Sequence, residues 1–178
     1  MLTVELLAFV RSSLPTPPAR VLEIGAGDGE LAEALGAAGY EVTAIDPAAA
    51  TGGQVQSIAL ADVDGRFDAA VAIVSLHHVD PLEESCAHLA TLLEPEGFLV
   101  IDEIDSHAFN TAAASWWLGQ RRALGASEDT PQPDQMIADL RHHIHPVKRI
   151  VDALAPHFTR GSGARTLPPP LEPAPIAL

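Results

Sequence analysis

Three glycines at alternate positions close an apolar run in Val21-Leu22-Glu23-Ile24-Gly25-Ala26-Gly27-Asp28-Gly29-Glu30. Glycines at the end of a first strand let the backbone turn tightly and let a ligand approach with no Cβ in the way. The helical pattern that follows then points its N-terminus at that ligand. The Gly-x-Gly-x-x-Gly pattern of dinucleotide sites is not met, because its sixth position is Glu30. Here Gly25, Gly27 and Gly29 follow an acid, Glu23, two residues before the first glycine. A second acid, Asp46, ends the next apolar run and is followed by Pro47. Ser75, Leu76, His77 and His78 close a third run, at the carboxyl end of an expected central strand, where open α/β sheets bind ligands. A histidine there can take a proton near neutral pH.

The elements that must position these residues are legible from apolar patterning. Runs at residues 20–24, 41–45, 55–60, 67–74 and 98–101 are short and apolar at successive positions. That pattern predicts five strands covered on both faces, hence a parallel sheet. Between the first two lies a helical pattern, residues 30–38, stopped by Gly39. Between the last two lies another at residues 81–93, with Leu82, Cys86, Leu89 and Leu93 at helical spacing. Strand–helix alternation of this kind predicts an α/β fold with a doubly wound, mostly parallel, Rossmann-like sheet. Around this core, residues 1–18 read as an N-terminal helix and linker. Residues 105–160 read as a helical, acceptor-side region. Together these make one domain over residues 1–160, followed by a Pro/Gly-rich tail at 161–178 expected to be extended or disordered.

Composition narrows the function classes. The chain has 178 residues with 47% hydrophobic and 4% aromatic, so the core must be built from Ala, Val, Leu and Ile. No apolar stretch reaches the roughly 18 residues that span a bilayer. The first residues carry Glu5 and no basic lead-in, so a cytoplasmic location is expected. A single cysteine, Cys86, excludes an intramolecular disulfide and an all-cysteine metal site. A formal net charge of −14, with one lysine (Lys148), disfavours phosphate backbones and anionic lipid. The charge balance leaves an uncharged or cationic small molecule as the expected partner, without nucleic acid or membrane.

The segment VLEIGAGDG resembles motif I of the class I S-adenosylmethionine-dependent methyltransferases. Further segments follow in the family's order. Ala44-Ile45-Asp46-Pro47 resembles the end of its second strand, and Gly65-Arg66-Phe67-Asp68-Ala69-Ala70-Val71-Ala72 its fourth-strand motif. Ser75-Leu76-His77-His78-Val79 resembles that strand's exit, and Leu92-Leu93-Glu94-Pro95-Glu96-Gly97-Phe98-Leu99-Val100 the delivery of the fifth. The resemblance implies S-adenosyl-L-methionine as cofactor and transfer of its methyl group to an oxygen, nitrogen or carbon. It implies cofactor contacts at Glu23, Gly25, Ala26, Gly27, Gly29, Asp46, Pro47, Ser75 and Leu76, with Asp46 taking both ribose hydroxyls and Glu23 near the methionine end. Asp68 reads as a structural acid. His77 and His78 are the candidate catalytic residues.

The chain also departs from the family's pattern. Residues 46–55 are too short for the usual helix, and Asp62 lies five residues before Phe67. The adenine contact is therefore assigned to the loop at 59–62, through Leu60 and Ala61. Two other readings stay open: a cofactor-binding module without turnover, and a nicotinamide-dependent oxidoreductase.

Two clusters invite other chemistry. His142, His143 and His145 with Asp139 have metal-ligand residue types, but Pro146 puts His145 in a turn, so no metal is expected. Trp116, Trp117, Arg121 and Arg122 read as a helix with tryptophans on the core and arginines in solvent. The alternative is a wall over the acceptor pocket. The family's sixth and seventh strands are not expected after residue 155, because prolines 168, 169, 170, 173 and 175 cannot supply an interior strand. Residues 98–101 would then form an exposed edge, available for homodimer formation unless the helix near residues 147–154 covers it.

Overall fold

Four strands, Arg20–Ile24 (β1), Glu41–Ile45 (β2), Phe67–Ile73 (β3) and Leu93–Asp102 (β4), pair in parallel in the order β2-β1-β3-β4. The structure is a computed structural model and describes residues 2–125 and 131–159. Among the described residues six α-helices accompany the sheet: α1 (Val4–Ser13), α2 (Glu30–Ala37), α3 (Leu82–Leu92), α4 (Thr111–Ala123), α5 (Pro133–His143) and α6 (Val147–Leu154). Strand order reverses between β1 and β3, and in such sheets ligands bind beyond the carboxyl ends of the strands at that point.

The strands are apolar throughout because both of their faces are covered. Along β1, Leu22 and Ile24 enter one core and Val21 the other. Along β3, Ala70 and Ala72 face the first core while Ala69 and Val71 face the second. The first core is closed by Leu82, Cys86 and Leu89 of α3 and by Ile150 and Leu154 of α6. The second is closed by Val10 of α1, Leu31 and Leu35 of α2, and Tyr40. Leu22 and Leu89 are fully buried, and truncating such a side chain to Ala costs roughly 2–5 kcal/mol.

Local signals set the helix ends. Thr3 caps α1, its side chain accepting the Leu6 N–H at 3.1 Å, and the helix stops at Leu14 ahead of Pro15. Asn110 caps α4 by accepting from Ala113. At the amino end of the sheet, Asp68 accepts the Arg20 backbone N–H at 2.7 Å and a guanidinium N–H at 3.2 Å. Arg20 also reaches Glu94 at 2.9 Å. Asp68 is the structural acid expected, at the end of the strands opposite the glycine turn.

The expected fifth strand, residues 55–60, does not form. Only Gln56 pairs, in an isolated parallel bridge with Ile45, before the chain enters a 3-10 turn at Leu60–Asp62. A parallel crossover needs a dozen or more residues to return to the start of the sheet. Residues 46–54 are too few, so the chain meets β2 only at its carboxyl end and leaves again. Val55 and Leu60 are still buried; their apolar character serves the core and not a ladder.

β4 begins earlier than expected, at Leu93, with a register shift between Phe67 and Ala69 that absorbs Glu94–Gly97. It has no outer partner among the described residues, and Phe98 is 53% exposed there. No strand follows it among the described residues. The expectations for the tail at 161–178 lie outside them. No helix of the described residues is long and apolar enough to cross a membrane.

Candidate functional site

The turn after β1 is built from backbone. The N–H groups of Gly25 and Ala26 both donate to the carbonyl of Ile45, at 2.9 and 3.0 Å, which ties the turn to the end of β2. Gly27 has φ of +53°, and a Cβ added there would meet nothing within 4 Å. The turn therefore opens a space just above the sheet. The Gly27 N–H donates to Asp46 Oδ2 at 2.9 Å, and Ala48 N–H donates to Asp46 Oδ1 at 2.8 Å. Each carboxylate oxygen keeps acceptor capacity beyond these bonds. Pro47 continues the loop, while Gly29 caps α2 in a left-handed conformation.

Glu23 lies at the floor of this region, 5% exposed, with Oε2 lacking a hydrogen-bond partner. Burial pushes its carboxyl up to about 7, against the downward pull of the Ala32 backbone N–H at the start of α2. Among the described residues, Ser75 is the other buried residue with an unpartnered side-chain oxygen, Oγ. Both lie near the carboxyl ends of adjacent strands, β1 and β3. Two sealed acceptors without donors are unusual in a folded protein, since burying an unpaired polar group costs roughly 1–3 kcal/mol.

The exit from β3 is held by a residue that the sequence analysis did not single out. Glu103, just past β4, accepts the N–H groups of Ser75 and Leu76 through Oε1, at 3.0 and 2.7 Å. Its Oε2 lies 2.6 Å from His77 Nδ1, and both side chains are 4% exposed. Strand register explains the meeting, because Ile73 pairs with Asp102 and the next residues follow in step. The acids closing the 98–101 run were the available signal, since they end a strand on the ligand-binding side of the sheet. Asp102 itself is raised by burial and then by the Glu103 charge. Val74, between β3 and Ser75, adopts φ of +51° and is 44% exposed. For a β-branched residue that conformation is strained by roughly 1–3 kcal/mol, and such strain clusters at functional sites.

His78 is exposed, its ring 4.2 Å from that of His77. Partial burial, then the neighbouring His77 ring, lowers its basicity, against an upward pull from Glu103. On the other side of this segment, His145 donates its backbone N–H to the His77 carbonyl at 2.9 Å. The His145 Nε2 lies 3.0 Å from the Val79 carbonyl. Arg149 pairs with Glu83, so the start of α6 is clamped to α3.

The structure thus brings together Glu23, Gly25, Ala26, Gly27, Asp46 and Ser75, with His77 beside them. Leu60 turns its side chain into the core, whereas Ala61 is exposed on the 59–62 loop. The His142–His145 cluster does not converge: His143 Nδ1 sits 2.6 Å from the Asp139 carbonyl, and His145 faces Val79. The tryptophans also differ from expectation. α4 buries Ala114 and Leu118, leaving Trp116 50% and Trp117 38% exposed, with Arg121 5.0 Å over the Trp117 ring. Ala114 and Leu118 share one helical face, and the two tryptophans fall off it.

Comparisons with known proteins bear on the family and the fold. The sequence model of the family described as "Methyltransferase domain" matches residues 4–132. The ubiquinone biosynthesis O-methyltransferase of Xylella fastidiosa is 37% identical over 119 residues, covering 56% of this chain and 47% of that protein. The enzyme of the same name from Xanthomonas campestris is 34% identical over 119 residues, covering 56% and 48%. The chain spans about half the length of these curated relatives. In fold, it is similar to a putative methyltransferase from an antibiotic biosynthesis pathway of Anabaena variabilis. That likeness has a TM-score of 0.64 at 18% identity, over 88% of this chain and 61% of the other. With the family's match running across the glycine turn, Asp46 and the Ser75–His78 segment, the chain belongs to the class I S-adenosylmethionine-dependent methyltransferase family.

Proposed function

We propose that this protein binds S-adenosyl-L-methionine and transfers its methyl group to a hydroxyl of a small molecule. The observation that carries this reading is the open glycine turn, whose Gly27 N–H meets the Asp46 carboxylate, with two unpartnered polar atoms, Glu23 Oε2 and Ser75 Oγ, buried beside it. The residues fit a cofactor that carries an ammonium and two ribose hydroxyls. Asp46 would hold the ribose hydroxyls, and the Gly25–Ala26–Gly27 turn and Gly29 would admit the cofactor without a Cβ in the way. Glu23 and Ser75 would face its amino-acid end with Leu76 beside them. Pro47 and Ala61 would border the base, with Leu60 packed into the core beneath that loop. When bound, the cofactor supplies a methyl group already activated by a sulfonium leaving group.

The chain's own work is therefore orientation and proton handling. Holding two reactants in line accounts for most of such an acceleration, and the rigid turn tied to Ile45 serves that purpose. A neutral hydroxyl must also lose its proton, which His77 or His78 is placed to accept. Oxygen as the acceptor atom is favoured by the relatives named O-methyltransferases. A small acceptor in place of nucleic acid follows from the net charge of −14. We further propose a cytoplasmic protein with one domain at residues 1–160, able to pair through the edge of β4 that has no partner among the described residues.

Titration calorimetry with S-adenosylhomocysteine and with NAD tests the cofactor. Binding of the first and not the second is expected, and the reverse would overturn the reading. Single-turnover transfer of a labelled methyl group to a panel of phenols separates an enzyme from a binding module.

A further inference from the structure

We propose that Glu103 is a positioning residue that holds His77 with Nδ1 protonated and Nε2 free, making His77 Nε2 the acceptor of the substrate proton. This rests on the methyltransferase reading above. The geometry starts from the 2.6 Å contact between Glu103 Oε2 and His77 Nδ1, both side chains almost fully enclosed. A carboxylate has only acceptor atoms, so the bridging proton belongs to Nδ1 and the neutral ring carries none on Nε2. Among the described residues Nε2 has no hydrogen-bond partner. It is also not one of the sealed unpartnered atoms, which are Glu23 Oε2 and Ser75 Oγ. His77 Nε2 therefore keeps an outlet.

The same carboxylate fixes the backbone that carries this ring. Oε1 accepts the N–H groups of Ser75 and Leu76, and from the other side His145 donates its N–H to the His77 carbonyl. Ring and backbone are thus gripped by one side chain, which is the support a proton acceptor needs to stay in line. Among the described residues the titratable groups against the ring are Glu103 and His78, and His145 lies against the same segment. Exposed His78 has no carboxylate partner among the described residues, only the His77 ring 4.2 Å away.

In the transfer, the acceptor oxygen forms the new C–O bond as the C–S bond breaks with its electron pair left on sulfur. The hydroxyl proton passes to His77 Nε2, and the imidazolium so formed is stabilised by the adjacent Glu103 carboxylate.

Glu103→Gln tests the arrangement with little change of shape. Its amide oxygen can still accept the Ser75 and Leu76 N–H groups. Its NH2 group now donates to Nδ1 and moves the ring proton to Nε2. Nitrogen NMR of the full chain labelled at the histidine rings, with His77 assigned by His77→Gln, reads the tautomer directly. The wild type should show Nδ1–H and Glu103→Gln should show Nε2–H, with Glu103→Asp retaining Nδ1–H. Single-turnover transfer to 3,4-dihydroxybenzoate should fall by about 10²–10⁴-fold in Glu103→Gln. Affinity for S-adenosylhomocysteine should stay within about threefold, as the variant leaves the cofactor contacts in place. An Nε2–H tautomer in the wild type, or transfer by Glu103→Gln within threefold of the wild type, overturns the proposal. Should the wild type bind no cofactor, the methyltransferase reading fails; should it leave this probe unmethylated, the tautomer pair still decides the role of Glu103.

Discussion

The side chain of Ser75 fills the space that a Cβ on Gly25 would need, since the added atom would stand 2.4 Å from the Ser75 Cβ. The exits of β1 and β3 are therefore packed together, Ser75 side chain against Gly25 backbone, and the glycine is required by its neighbour as much as by its own φ of +73°.

Gly25→Ala should accordingly cost about 2–4 kcal/mol, combining the left-handed backbone with an overpacked contact. Urea unfolding measures it. The double variant Gly25→Ala/Ser75→Gly should recover the contact part and leave the backbone part. A single variant as stable as the wild type would show that the two exits do not touch.

Asp46→Ala should weaken S-adenosylhomocysteine binding at least about tenfold, since a hydrogen bond to a charged group contributes about 1.5–3 kcal/mol. It also strips the Gly27 and Ala48 N–H groups of their acceptor. Asp46→Asn keeps one oxygen and should fall between. Calorimetry giving unchanged affinity for the alanine variant would remove Asp46 from the ribose site.

Gly27→Val should fold, because no atom lies within 4 Å of the added Cβ. The strain of φ +53° in a β-branched residue should cost about 1–3 kcal/mol of stability. Cofactor binding should nevertheless be lost, because the branch fills the open face of the turn. A folded variant with wild-type affinity is the contrary result.

Glu23 makes stability depend on pH in a predictable sense. Its folded-state carboxyl is pushed up to about 7 from an ordinary 4.5. Between those values the native state binds more protons than the unfolded state, so the contribution is full below about 4.5 and falls as pH rises to about 7. The loss approaches about 3 kcal/mol. Asp68 and Glu83 are shifted downward by arginine partners and act in the opposite sense at lower pH. The measurement is therefore the difference between wild type and Glu23→Gln, which should shrink the decline between pH 5 and 7. An unchanged slope would mean Glu23 titrates normally.

Asp68→Asn should leave cofactor affinity within about twofold and cost no more than about 1 kcal/mol, as expected for a partly exposed ion pair. Calorimetry showing a tenfold loss would make it a ligand.

Much of the fold follows from local pattern. β1, β2, β3 and α2 lie within a residue of their apolar runs because strands covered on both faces must be apolar throughout, and Gly29, Gly39 and Pro81 punctuate the helices. The glycine turn and Asp46 were legible for the same reason, since each is announced by the end of a strand adjacent in sequence. The run at 55–60 misled because apolar content says that a segment is buried, not that a ladder partner is within reach.

What the tertiary structure alone decided is pairing at a distance. Trp116 and Trp117 are large and apolar, yet where α4 docks leaves them exposed while Ala114 and Leu118 take the buried face. Glu103 is one of several acids in Asp102-Glu103-Ile104-Asp105, and nothing local distinguishes it. It reaches His77, 26 residues away, because the β3–β4 register sets Ile73 beside Asp102 and the next residues converge above the sheet. Register is settled by the burial of both faces of the whole sheet at once, since a slip of one residue would turn every side chain of a strand to the opposite core.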